Sequence, residues 1–221
     1  MATTLKPFGL KPVYHPSGLD RATPFVGTNT YGPGSGTYTA PYSLSSGQAF
    51  YQYQPVAVNS SGQLTIAAAA AASGTVYGVF DGVEFTDSQG RRSVAKWASK
   101  ATLDASTDIV FWIFSDPEVV YEAQANGSIT TAGIGSQYNF ETDAGITTTS
   151  GTSIGNGGAG FSTCALNNAA VASGSQGQVR VVGLGREVAY PPGETNQWGD
   201  TYTIVQVKIA NNAFVYPKVS V

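Results

Sequence analysis

The amino-acid sequence predicts an all-β protein, an antiparallel sandwich or barrel with little helix and an extended N-terminal arm rich in proline and glycine. From Ala49 onward, short apolar segments alternate with turn-forming residues, which is the pattern of antiparallel strands. Before that point, prolines recur too closely for a long helix or a central strand to persist. These prolines are Pro7, Pro12, Pro16, Pro24, Pro33 and Pro41.

The predicted arm covers residues 1–45. Aromatic residues recur along it, although disordered segments are usually poor in aromatics. They are Phe8, Tyr14, Phe25, Tyr31, Tyr38 and Tyr42. We therefore expect the arm to lie on a surface, which belongs either to its own domain or to a neighbouring subunit.

The predicted β body covers residues 46–210. It begins with a predicted strand at 50–56, on which one face carries both polar and apolar residues. A polar turn follows at 59–62. The alanines at 67–72 favour a turn of helix or a tightly packed connection, because they are too few to form a stable helix alone.

Segment 75–85 alternates between larger and smaller side chains, which predicts a half-buried strand. Its buried face is expected to contain Tyr77, Val79, Val83 and Phe85. A polar turn at 87–90 leads into a returning segment at 91–97, so the two segments are predicted to form a hairpin.

The best candidate for the core is segment 108–114, which is apolar on both faces and predicts a central strand covered on both sides. Another strand is predicted at 119–123. Residues 142–160 are nearly all small or polar and predict a long surface loop. Two closing strands are predicted at 179–184 and 202–209, and a short apolar tail follows at 211–221.

Composition and charge exclude several classes of protein. Charged residues make up 11% of the 221 residues and the net charge is −3, so neutral polar groups must coat much of the surface, which suits a protein packed against copies or partners. The basic residues are scattered, so we expect no nucleic-acid binding. No apolar segment approaches the roughly 18 residues of a membrane span and no secretory signal is evident, so we expect a soluble chain made in the cytoplasm.

The sequence contains few residues that could catalyse a reaction or bind a metal. The only histidine, His15, lies in the arm, and the only cysteine, Cys164, is interpreted as a small buried hydrophobic residue. Asp116, Glu118 and Glu122 form the closest acidic cluster, but Asp116 precedes a proline and is explained by turn formation, while the two glutamates flank a strand and are expected to face solvent. We therefore predict no enzyme, with no catalytic, cofactor-binding or metal-binding residue.

Three parts of the chain resemble a family of tailed-phage virion proteins described as head decoration, cement or minor structural proteins. The first is PFGLKPVYH at 7–15. The second comprises YGVFDGVEFTD at 77–87 and DPEVVYEAQ at 116–124. The third comprises VRVVGL at 179–184 and VQVKI at 205–209.

The resemblance implies a capsid decoration or cement protein of a bacteriophage, bound to the outer face of a shell built by a separate major capsid protein and stabilising it by contacts between subunits. The expected location is the capsid exterior of the virion, assembled in the host cytoplasm. Self-association is also expected, as a trimer in preference to a dimer. The alternatives are a phage tail or fibre component, and a carbohydrate-binding β module that stacks sugars on Trp97, Trp198 or the tyrosines.

The apolar residues of the arm and the tail are the candidate partner contacts. The alternative is that they cover the protein's own core. The candidates are Phe8, Leu10, Tyr14, Phe25, Phe214, Val215 and Tyr216.

Overall fold

The structure is a computed structural model that describes residues 5, 7–18, 21–26, 40–68, 75–141, 162–186 and 195–214. Within these residues the chain is nearly all β, and its named strands pair antiparallel, which confirms the predicted fold class. Most of the alanine segment, the loop at 142–160 and the tail beyond Phe214 lie outside the described residues.

The first sheet has six strands. In spatial order these are β1 (Lys11–Tyr14), β10 (Val120–Gln124), β14 (Ile204–Ile209), β13 (Val179–Leu184), β11 (Gln137–Phe140) and β12 (Leu166–Ala170). The predicted closing strands β13 and β14 are adjacent here. Strands β11 and β12 were not predicted, because polar residues such as Asn139 and Asn167 interrupt their apolar pattern.

The second sheet contains β2 (Thr23–Phe25), β9 (Thr107–Phe114), β6 (Gly78–Thr86), β4 (Gln54–Val58) and β5 (Leu64–Ile66) in that order, and β7 (Arg92–Ala95) pairs with β6. The β6–β7 pair is the predicted hairpin. A small sheet pairs β3 (Ala49–Tyr51) with β8 (Trp97–Ser99). The helix α1 (Lys100–Asp104) begins where the Ser99 hydroxyl accepts the Thr102 N–H, a typical N-cap.

Two apolar clusters hold the layers together. The first joins the inner face of the first sheet to the second sheet; it includes Tyr121, Val181, Val207, Val79 and Phe114. The second lies on the other face of the second sheet, under the small sheet and α1; it includes Phe80, Val83, Phe111, Phe50 and Leu103. The second sheet therefore packs on both faces. In β9 the face with Ile109, Phe111 and Ile113 is buried, whereas Val110 and Trp112 on the other face are only half-buried, so the prediction of a strand covered on both sides is confirmed fully for one face alone.

Local irregularities account for the errors of the strand predictions. The pairing of β6 with β9 shifts between Phe80 and Gly82, so Val79 faces the first cluster while Val83 and Phe85 face the second. The prediction that these three share one face was wrong, because a bulge reverses the alternation. The predicted strand at 50–56 is likewise divided, since Tyr53 has a positive φ of 66°.

The described parts of the N-terminal arm lie on the body. Strand β1 forms one edge of the first sheet, where it pairs with β10, and β2 forms one edge of the second sheet, where it pairs with β9. Pro12 and Pro24 lie within these two edge strands. Because proline has no N–H to offer, it limits further strand pairing at a sheet edge.

Candidate partner-binding surfaces

The segment before β1 fastens the arm to the core. Leu10 is fully buried in the first cluster, and its N–H donates to the Tyr53 carbonyl at 2.8 Å. Gly9 has a positive φ of 78°, and a side chain there would collide with the Tyr53 carbonyl and the Ser162 side chain. Leu10 therefore cannot serve as the predicted partner contact, because it fills its own core, and Phe8 beside it is half-buried.

Four residues later the same arm is exposed. The register of β1 against β10 shifts between Pro12 and Tyr14, so Val13 is an extra residue and both Val13 and Tyr14 reach one pocket. Tyr14 is 59% exposed. This pocket, which we call the β1 pocket, has a volume of about 520 Å³ and is lined by Val13, Tyr14, Val120, Glu122, Val182, Arg186 and Gln206.

Glu122 is the unexpected member of the β1 pocket. It lies in the middle of β10, on the sheet face opposite Tyr121, and is 3% exposed. The prediction that it faces solvent was wrong, because residues of β1, β14 and the segment after β13 surround it. One carboxylate oxygen, Oε1, accepts the Arg186 backbone N–H at 2.6 Å and lies 3.5 Å from Gln206 Nε2.

A second surface combines aromatic residues from three parts of the chain. The Tyr77 ring lies edge-on to Phe25 of the arm at 5.3 Å and to Phe214 at 5.2 Å, measured between ring centroids. We call these three residues the aromatic cluster. Phe214 is 59% exposed, and Val26 next to Phe25 is 49% exposed. The structure therefore brings together one predicted contact from the arm and one from the tail.

Backbone hydrogen bonds hold the chain just before Phe214 in place. Ala213 N–H donates to the Val76 carbonyl at 3.1 Å, and Val76 N–H donates to the Asn211 carbonyl at 2.8 Å. The Phe214 N–H donates to the Asn212 side chain at 2.8 Å. Val215 and Tyr216, the remaining predicted contacts, lie outside the described residues.

The structure also places His15 between a serine and an aspartate. Ser17 Oγ lies 2.6 Å from His15 Nδ1, and His15 Nε2 lies 3.1 Å from Asp116 Oδ2. The Ser17 N–H also donates to Nδ1, and the Gly18 N–H donates to the His15 carbonyl. The backbone N–H groups of Ser17 and Gly18 are thus both engaged in the turn, whereas acyl transfer needs free donors for the oxyanion.

The three acidic residues of the predicted cluster have separate partners. Asp116 accepts the Glu118 N–H at 2.8 Å, which confirms its role in a turn, and also bonds to His15. The Glu118 N–H and then His15 hold the pKa of Asp116 below its usual value. Glu118 pairs with Lys208 at 2.6 Å, and Glu122 bonds to Arg186. The acidic cluster is therefore divided among structural contacts.

Cys164 is buried within the first cluster, as predicted, and burial raises the pKa of its thiol. In the described ranges, His, Cys, Asp and Glu side chains form no group of three that could hold a metal ion. No helix within these ranges has the length and apolar character to cross a membrane.

The two tryptophans considered as sugar platforms have different environments. Trp97 is 45% exposed, and its ring stacks on Tyr51 with an interplanar angle of 16°. Trp198 is half-buried against the first cluster. Trp97 is thus the more exposed of the two, and Tyr51 stacks on one face of its ring.

Sequence reasoning missed the residues of the β1 pocket that come from the body. Val182 alternates with buried residues in β13, so its outward direction was predictable. The pairing of β1 with β10, which brings these distant segments together, was not. Comparisons with protein-family models, with curated proteins and with solved structures find no match to this chain.

Proposed function

We propose that this protein is a structural component of a tailed-phage virion, a decoration or cement protein that binds the outer face of the major capsid shell. The observation that carries the proposal is the resemblance of the segments at 7–15, 77–87, 116–124 and 179–184 to that family. Its surface supports the same role, because exposed apolar residues from the arm and near the tail are presented by a β body.

The β1 pocket and the aromatic cluster are the proposed attachment surfaces. The β1 pocket contains the exposed Tyr14 beside the exposed Val182, and the aromatic cluster contains the exposed Phe214 against the Tyr77 ring. Clustered exposed apolar residues are typical of interaction sites, whereas scattered ones are normal on any surface. Aromatic residues are also enriched at protein interfaces.

Low charge favours attachment in many copies. Only 11% of residues are charged, so little electrostatic repulsion would oppose close packing with neighbours. An interface of roughly 1,000 Å² or more per copy is enough for specific binding, and repetition of the contact over a shell adds up to mechanical reinforcement. We propose a trimer as the attached unit, with a dimer as the alternative.

Electron cryo-microscopy of intact particles tests this proposal. The expected result is density for this β body on the outer face of the head, in contact with the major capsid protein. Density along the tail or in a fibre would instead support the alternative virion role. Particles that contain no copy of the chain would contradict both virion roles.

A further inference from the structure

The β1 pocket contains a buried charge that apolar attachment does not use. Glu122 is 3% exposed, and among the described side chains no cation lies within ion-pairing distance of its carboxylate. Among the described residues, the hydrogen bonds of its carboxylate involve only Oε1, through the Arg186 N–H and the Gln206 amide. A buried carboxylate is costly unless it is paired, so Glu122 favours a cationic partner.

The residues that line the pocket indicate which kind of cationic side chain would fit. Val13, Val182 and Tyr14 are 37%, 41% and 59% exposed and line the pocket together with Val120 and Glu122. A long basic side chain matches this arrangement, because its aliphatic stem packs on apolar surface while its head forms charge-assisted hydrogen bonds. A guanidinium can also lie over the tyrosine ring.

We propose that the β1 pocket binds an arginine side chain of a partner protein, with the guanidinium at Glu122 and the stem between Tyr14 and the valines. The partner is proposed to be a shell subunit; that identity rests on the proposed function, whereas the recognition of arginine rests on the pocket alone. Three valines among the lining residues match an aliphatic stem better than the hydroxyl groups of a sugar.

Arg186 lies at the same pocket and has a different role. Its backbone N–H fixes the Glu122 carboxylate at 2.6 Å, while its own side chain is exposed. The exposed guanidinium would repel an incoming cation, and screening by water keeps that repulsion small. Removal of this side chain should therefore strengthen binding of a cationic probe slightly.

The test is a titration of the full chain with Nα-acetyl-arginine amide, followed by NMR of the backbone amides. We expect saturable shifts at Tyr14, Val120 and Arg186, and binding at least five-fold weaker in Glu122→Gln, which keeps an acceptor for the Arg186 N–H. Tyr14→Ala should also weaken binding, and because this side chain is exposed the variant should stay folded. Arg186→Gln should bind more tightly than the wild type, and Val94→Ala, which lies outside the pocket, should bind equally.

Matched probes make the result decisive. Nα-acetyl-leucine amide has a similar backbone without the cation and should give no saturable shift, and methyl glucoside should give none either. Equal binding to wild type and Glu122→Gln, tighter binding of the leucine probe, or a saturable response to the glucoside would overturn the proposal. Because these probes contain no capsid protein, failure here is distinguishable from failure of shell attachment.

Discussion

Two regions of the N-terminal arm, separated by only a few residues, have opposite environments. Gly9 and Leu10 are buried against Tyr53 and the first apolar cluster, whereas Val13 and Tyr14 are exposed at the β1 pocket. The arm is therefore both a part of the fold and a part of the surface. Apolar character in such a segment does not by itself distinguish a core residue from a partner contact.

The largest difference between the two regions is expected in stability. Leu10→Ala removes a fully buried side chain and should lower the free energy of unfolding by about 2–5 kcal/mol. Tyr14→Ala should change it by no more than about 0.5 kcal/mol, because exposed positions contribute little. Urea unfolding monitored by circular dichroism measures both. If both variants lost the same free energy of unfolding, Leu10 and Tyr14 would not differ in burial as the structure shows.

Glycine substitutions refine the same comparison. Gly9 and Gly18 both have a positive φ, but a side chain at Gly18 would meet nothing within 4 Å, whereas one at Gly9 would strike the backbone of Tyr53. Gly18→Ala should cost about 1–2 kcal/mol from the backbone conformation alone. Gly9→Ala should cost clearly more in the same urea experiment, and an equal cost would show that the arm does not pack tightly there.

A smaller effect is expected from pH. The pKa of Asp116 lies below its ordinary value of 3.8, chiefly through the Glu118 N–H and also through His15. Its ionised form therefore stabilises the fold above about pH 4, and that contribution is lost as the pH falls through the lowered pKa. Because Asp116 is half-exposed, the contribution should be only about 0.5 kcal/mol or less.

Asp116→Asn is the variant that isolates this effect. It should retain an acceptor for the Glu118 N–H and remove the titration. The difference in unfolding free energy between wild type and variant should therefore shrink between pH 5 and pH 2. A difference that stays constant over this range would show that ionised Asp116 does not contribute to tying the arm to the body.

The fold class was predictable from the sequence, but the composition of the surfaces was not. Alternating burial located β13 and β14, and the polar turn at 87–90 located the β6–β7 hairpin. The bulges at Val13 and after Phe80 break that period through the backbone and leave no clear pattern in the side chains. These strand assignments therefore held, while the strand predicted at 50–56 proved to be two strands and some of the predicted faces were wrong.

The residues of the candidate site were also only partly predictable from the sequence. Tyr14, Phe25 and Phe214 were identified from their apolar character in the terminal segments, and the structure places all three at the two proposed surfaces. Glu122 could not be found in this way, because a charged residue in a strand is normally exposed. Its burial depends on strands from distant parts of the chain that pair in the first sheet.

The exposed rings of Phe214 and Tyr14 are expected to contribute least to stability and most to attachment. Phe214→Ala, like Tyr14→Ala, alters an exposed ring and should leave the free energy of unfolding within about 0.5 kcal/mol of wild type. Val94→Ala changes an even more exposed residue, outside both proposed surfaces, and serves as the matched control. Thermal unfolding of the three variants should show closely similar midpoints.

Co-sedimentation with empty shells of the major capsid protein tests most directly whether this chain attaches through the β1 pocket and the aromatic cluster. Wild type and Val94→Ala should bind to saturation, while a Tyr14→Ala, Phe214→Ala double variant that folds normally should bind at least ten-fold more weakly. Undiminished binding by that variant, or no binding by the wild type, would contradict attachment through these two surfaces.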